Sequence, residues 1–112
     1  MRRGEIWWAN LPDPFASEPG YRRPVLIVQA DSFNRSGIHT VVAVIVTGNL
    51  RLAEAPGNVF LKRRETGLKK ESVANVSQLV TIDKRCFGAK IGRASGSTME
   101  KVSEGLRLFL SL

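Results

Sequence analysis

The chain has 112 residues, with 17 Lys and Arg against 10 Asp and Glu, a formal charge of +7, one histidine and one cysteine. That length and an ordinary globular composition, 43% hydrophobic and 24% charged, predict one domain over residues 1–112 and exclude a disordered or fibrous chain. The lone Cys86 excludes an intramolecular disulfide and a multi-cysteine metal site, and the lone His39 excludes a two-histidine acid–base pair.

Arg2 and Arg3 resemble the start of a targeting signal, but Glu5 and Asn10 interrupt the apolar stretch behind them. Gly4–Asn10 is aromatic and β-branched and predicts a first strand. Trp7 and Trp8 adjoin in it, so they face opposite ways: one is core, the other an interface or stacking residue. Residues 11–22 hold Pro12, Pro14, Pro19 and Gly20 and predict a long irregular loop, a common form of functional lid. Pro24–Ala30 reads as a buried strand and Asp31–Gly37 as a polar turn. Thr40–Thr47 is almost wholly apolar and predicts a central strand covered on both faces. Its apolar run is far too short to span a bilayer, so a soluble cytoplasmic protein with no membrane association is expected. Gly48–Gly57 is a loop, Asn58–Leu61 a short strand, Lys62–Glu71 a basic connection, Ser72–Asp83 a longer strand, and Lys90–Arg93 a last short one. From about residue 97 to 112 the period changes to that of a helix. Ser97 and Glu100 fit a capping box, and Met99, Val102, Leu106, Phe109 and Leu110 form one apolar stripe. Many short strands and one helix predict a mainly β fold, a compact barrel or curled sheet with a C-terminal helix.

The positive charge is uneven. Residues 1–47 are net +1, residues 48–96 net +6, and residues 97–112 neutral. Arginines outnumber lysines 11 to 6, and the guanidinium fork suits phosphate. Five of the nine residues from Lys62 to Lys70 are basic (Lys62, Arg63, Arg64, Lys69, Lys70), which reads either as a solvated surface or as a hairpin rim gripping phosphates. Phosphate-loop, dinucleotide, CxxC and GxSxG signatures are absent. Pro24 forces Arg23 into an extended conformation at the mouth of its strand, beneath the Pro/Gly loop. Thr47 closes the central strand before Gly48 and Asn49, where a hydroxyl either satisfies the turn or faces the same barrel edge as Arg23.

Three stretches carry a resemblance: RGEIWWANLPDPFASEPGYRRPVLIVQADSFNRS (3–36), the strand ending at Thr47 with Ala55–Val59 after it, and GLKKESVANVSQLVTIDK (67–84). Together they resemble the MazF/PemK (Kid) family of bacterial toxin endoribonucleases over nearly the whole chain. The resemblance implies an SH3-like β-barrel of the MazF/CcdB kind, a homodimer, cleavage of single-stranded RNA at short motifs without metal or cofactor, and neutralisation by a cognate antitoxin whose acidic flexible segment covers the RNA groove. Arg23 and Thr47 occupy the family's catalytic positions. The loop from Ser17 through Glu18 and Tyr21 to Arg22, together with Asn34, Ser77 and Gln78, falls where the family lines its groove. Asn49 and the basic run of Lys62, Arg63, Arg64, Lys69 and Lys70 complete the RNA-binding candidates. In such a reaction the RNA's own 2′-hydroxyl attacks phosphorus, leaving 2′,3′-cyclic phosphate and 5′-hydroxyl ends. Arg23 would stabilise the phosphorane and Thr47 donate a hydrogen bond to it. The base stays open between Arg23 and Glu18. Two other classes remain: a CcdB-like gyrase poison that cuts nothing, and an inactive RNA-binding module. Incubation with RNA separates them.

Overall fold

The computed structural model describes residues 1–12, 15–17 and 20–112. Six strands make one curled antiparallel sheet: β1 (Glu5–Leu11), β2 (Tyr21–Ile27), β3 (Thr40–Thr47), β4 (Val59–Leu61), β5 (Ser72–Asp83) and β6 (Phe87–Arg93). Their order is β4-β5-β3-β2-β1-β6. Two single-turn helices, α1 (Asp31–Asn34) and α2 (Arg63–Thr66), and 3-10 turns at Leu50–Glu54 and Lys84–Cys86 join them, and α3 (Gly96–Leu110) packs on the sheet. Among the described residues no helix is long and apolar enough to cross a membrane.

The pleat explains the layering. Val44 and Val46 of β3 project into a cluster with Ile6, Leu26, Val59, Leu61, Ala74, Met99 and Val102 beneath α3. Ala43 and Ile45 project the other way, joining Ala9, Val25 and Ile82. β3 is therefore buried on both faces, as its unbroken apolar run requires. In β5 the pairing steps from Val44↔Leu79 to Ile45↔Asn75, so residues 76–78 bulge out of the ladder.

Two close backbone approaches close the curl. Gly67 (φ 81°) ends α2 in the left-handed conformation, and a Cβ on Gly92 of β6 would overlap the Thr66 carbonyl. A Cβ on Gly105 of α3 would likewise overlap the Gly57 carbonyl. Arg3 adds a polar tie: its Nε donates to the Val28 carbonyl at 3.0 Å and its Nη2 to Ser103 Oγ at 2.8 Å.

β3 and β5 match their expected bounds. β2 lies three residues earlier than expected, because Pro24 sits inside the strand, paired with Trp8 of β1. The irregular loop is correspondingly shorter, since Leu11 closes β1 and Tyr21 opens β2. β6 begins at Phe87 rather than Lys90. The helix cap is Ser95, whose side chain accepts from the Thr98 N–H at 3.2 Å, not Ser97. Ser97 already lies inside the helix, and its hydroxyl meets that of Ser95 at 3.2 Å. The apolar stripe is buried only in its first half. Met99 and Val102 are core and Leu106 packs against it, but Phe109 and Leu110 are about half exposed, at 50% and 43%. The basic run lies in the connection of the β4–β5 hairpin, where Leu61 pairs with Ser72, and Arg63–Thr66 within it form a helical turn.

Two stability predictions follow from these contacts. Gly105→Ala forces the helix off the Gly57 loop and should lower stability by about 1–3 kcal/mol in urea unfolding. An unchanged midpoint would show that the close approach is not required. Burial by itself would raise the Glu5 carboxyl, but bonds from Lys90 Nζ (2.9 Å), the Arg2 N–H (2.9 Å) and Trp7 Nε1 (3.1 Å) hold its pKa down at about 2. A carboxyl lowered on folding stabilises fully above its ordinary value of 4.5 and loses that contribution as pH falls towards 2. Stability of the natural chain should therefore fall more steeply over that interval than that of Glu5→Gln; parallel pH profiles would contradict the assignment.

Candidate nucleic-acid interface

The ladder between β2 and β3 holds Val25↔Ile45, Leu26↔Val44 and Ile27↔Ala43, and stops there. Beyond it β2 pairs only with β1, down to Leu11↔Tyr21, while β3 pairs only with β5, down to Thr47↔Val73. Pro24 stands at the parting. It has no N–H with which to extend the β2–β3 ladder. Continuing the register two residues past Val25↔Ile45 sets Arg23 across the fork from Thr47.

A cleft of about 740 Å³ opens at this fork. Arg23, Pro24, Val46, Thr47 and Gly48 line its floor, and Trp8, Lys69, Lys70 and Lys90 stand around it. Tyr21 takes φ 62°, a left-handed conformation uncommon for a bulky residue. The chain bends there, and the Gly20 carbonyl accepts from Arg23 Nε at 3.2 Å. That bond holds the guanidinium through its inner nitrogen, and among the described residues its outer pair makes no further hydrogen bond. The Thr47 hydroxyl oxygen accepts the Asn49 N–H at 3.2 Å. Both readings of Thr47 therefore hold together: its oxygen satisfies the turn, while its proton is free to be donated.

The cleft lining carries five basic side chains (Arg22, Arg23, Lys69, Lys70, Lys90) and, among the described residues, no carboxylate. Lys90 is committed to Glu5. The Arg22 guanidinium lies 4.2 Å from the centre of the Trp8 ring, a cation–π stack in which a flat charged surface is held ready. Trp7 faces the other way, edge-on to Phe87. Trp8 is thus the stacking member of the pair. Sequence reasoning missed Lys90, because only the β1–β6 pairing of Trp7 with Lys90 brings it to the cleft.

The other candidates divide by location. Ser17, Ser77 and Gln78 line a second groove with Leu11, Phe15 and Val80. There Ser77 Oγ donates to Asn75 Oδ1 at 2.8 Å and Asn75 Nδ2 donates to Gln78 Oε1 at 3.2 Å, so the β5 bulge presents an ordered polar row. Glu18 lies outside the described residues. Asn49 caps the following 3-10 turn by accepting from the Arg51 N–H. Asn34 is not brought to the cleft. It sits in α1, past the opposite end of β2, where its amide donates to the Gln29 carbonyl and Asp31 Oδ1 and accepts from Gln29 Nε2. Of the basic run, Lys69 and Lys70 reach the cleft, whereas Lys62 faces a groove beside α3 and Arg63 pairs with Glu71. Arg64 is exposed on α2, outside the cleft lining. The helical turn divides the run, sending its two ends to different surfaces.

Known proteins share the sequence and fold of this chain. Residues 2–110 match the family described as PemK-like, MazF-like toxin of type II toxin-antitoxin system. The whole chain is 44% identical to 98% of endoribonuclease MazF6 of Mycobacterium tuberculosis, and 35% identical to 96% of endoribonuclease EndoA of Bacillus subtilis. Among solved structures, a mycobacterial endoribonuclease in complex with its cognate antitoxin superposes with a TM-score of 0.75 at 27% identity, covering 100% of this chain and 94% of that one. The chain belongs to the PemK-like, MazF-like family of type II toxins.

Proposed function

We propose that the chain is an endoribonuclease toxin that cuts single-stranded RNA in the β2–β3 cleft and is neutralised by a cognate antitoxin. The observation that carries this reading is the placement of Arg23 opposite Thr47 at the fork, in a cleft rimmed by basic side chains. RNA brings its own nucleophile, so the protein's task is alignment and charge. As the 2′-oxygen attacks, charge grows on the non-bridging oxygens. Arg23 meets it with a fork whose orientation is already fixed by Gly20, and Thr47 adds a hydroxyl proton. The products are a 2′,3′-cyclic phosphate and a 5′-hydroxyl, and no metal or cofactor takes part in this route.

Arg22 on Trp8, with Lys69 and Lys70, holds the backbone and bases that flank the cut. The polar row of Ser77 and Gln78, beside Ser17, extends the path along a second groove. An acidic antitoxin segment fits the same basic cleft by the same electrostatics. Leu108, Phe109, Leu110 and Leu112 leave an apolar end on α3 that supports assembly as a homodimer, which sedimentation velocity measures directly. The working compartment of such a toxin is the cytoplasm.

Arg23→Ala should lower cleavage of a defined RNA by about 10²–10³-fold or more while leaving the unfolding midpoint in place. A single 2′-deoxy substitution at the cut nucleotide should stop cleavage by the natural chain. Cleavage by Arg23→Ala at the natural rate would remove Arg23 from the site, and a cut deoxy substrate would refute the cyclic-phosphate route. Absence of any cleavage by the natural chain would favour a binding toxin or an inactive RNA-binding module.

A further inference from the structure

Gly48 follows Thr47 directly, and a Cβ built on it would meet Lys70 Cε at 2.6 Å and Nζ at 2.7 Å. The Lys70 ammonium therefore rests against bare backbone beside Thr47, inside the cleft that Arg23 also lines. Its placement has causes in the fold. Pairing of Thr47 with Val73 draws the segment before β5 alongside the segment after β3. Ser72 Oγ donates to the Lys70 carbonyl at 3.0 Å and holds the turn into β5. The neighbouring carboxylate, Glu71, is turned away: it accepts the Arg63 N–H at 3.2 Å and lies 3.7 Å from Arg63 Nε. Among the described residues Lys70 has no ion-pair partner, in contrast to Lys90 on Glu5.

We propose that Lys70 is the general acid of the cleavage reaction and that Gly48 is the residue that seats it. This rests on the reading of the cleft as an RNA-cleaving site. At the leaving group the chemistry has a role that Arg23 and Thr47 do not fill. As the bond from the 2′-oxygen to phosphorus forms, the bond from phosphorus to the 5′-oxygen breaks, and that oxygen departs as an alkoxide unless it receives a proton. A guanidinium with a pKa above about 12 holds its protons too firmly to serve well. A lysine ammonium is a compact point donor with protons to give. His39 precedes β3 at the far end from Thr47, outside the cleft. In the proposed step the 2′-hydroxyl proton passes to solvent, the Lys70 ammonium gives a proton to the 5′-oxygen, and the resulting amine regains one from solvent. Charge and protons balance over the cycle, and only the P–O bond to the leaving nucleoside is lost.

The test compares two RNA oligonucleotides, identical except that one carries sulfur in place of the 5′-bridging oxygen at the cut. A thiolate leaves without protonation, its conjugate acid resembling a thiol of pKa about 8.5. Under single-turnover conditions Lys70→Gln should slow cleavage of the oxygen substrate by about 10²–10⁴-fold and of the sulfur substrate by less than about tenfold. Gly48→Ala keeps the charge but displaces the ammonium, and should give the same selective loss in a smaller measure. Lys69→Gln, which removes a cation without that seat, should slow both substrates alike. Equal losses on both substrates for Lys70→Gln would make Lys70 a charge contact and overturn the proposal, as would an undiminished rate on the oxygen substrate. A natural chain that cuts neither substrate refutes the endoribonuclease reading itself, whereas one that cuts both without the Lys70 selectivity refutes only this inference.

Discussion

An antiparallel ladder continues for as long as each strand can offer its amides to the next. Pro24 cannot, and the sheet divides at that residue. On one side β2 stays with β1; on the other β3 stays with β5. A continuous sheet would have tied up the ends of both strands in backbone bonds and left no gap between them. The division instead opens a cleft whose two walls are each held by a full ladder, so its floor residues sit on rigid supports while remaining open to a ligand. Arg23 and Thr47 come from different strands, yet the register still places them opposite one another, because the β2–β3 pairing is intact just below the fork.

The electrostatics of the cleft follow from the same topology. Sheet order brings β1, β2, β3 and the approach to β5 around one opening, where β1, β2 and the approach to β5 contribute positive or aromatic side chains and β3 contributes Thr47. Glu5 does not neutralise the cleft as a whole. It takes up Lys90 and is itself held by Arg2 and Trp7. Arg22, though exposed, lies on the Trp8 ring, which lowers the conformational freedom that an incoming polyanion must remove.

Much of this was legible in the residues. The apolar run Thr40–Thr47 and the bounded segment Ser72–Asp83 announced the two longest central strands at their observed limits. Pro24 misled, because proline is most familiar at a strand's first residue; its place in the interior becomes intelligible only once β1 is known to be the partner there. Ser95 and Ser97 both have the chemistry of a cap, and the choice is made by where the chain enters the helix. The Ala94 N–H donates to the Gly4 carbonyl at 2.8 Å and fixes that entry. Asn34 looked like a groove residue and is instead the hub of its own turn, since spacing along the chain says nothing about which end of a strand a loop occupies. The basic run read as a hairpin rim and does join the paired strands β4 and β5, but a helical turn ending at Gly67 divides it, which charge spacing does not show. Trp8 and Lys90 meet the cleft through cross-strand pairing, which single-sequence periodicity does not contain.

The position of β1 has a consequence for when the molecule can begin to act. β1 lies between β2 and β6, and β6 follows the other five strands in chain order. A nascent chain that has emerged only through β5 already holds Arg23, Thr47 and Lys70. It lacks Lys90 and Ile91, which wall the cleft, and Gly92, on which α2 is seated. Arg3 meanwhile waits for Ser103 on the terminal helix. The fold thus makes assembly of the cleft depend on the docking of β6 and α3.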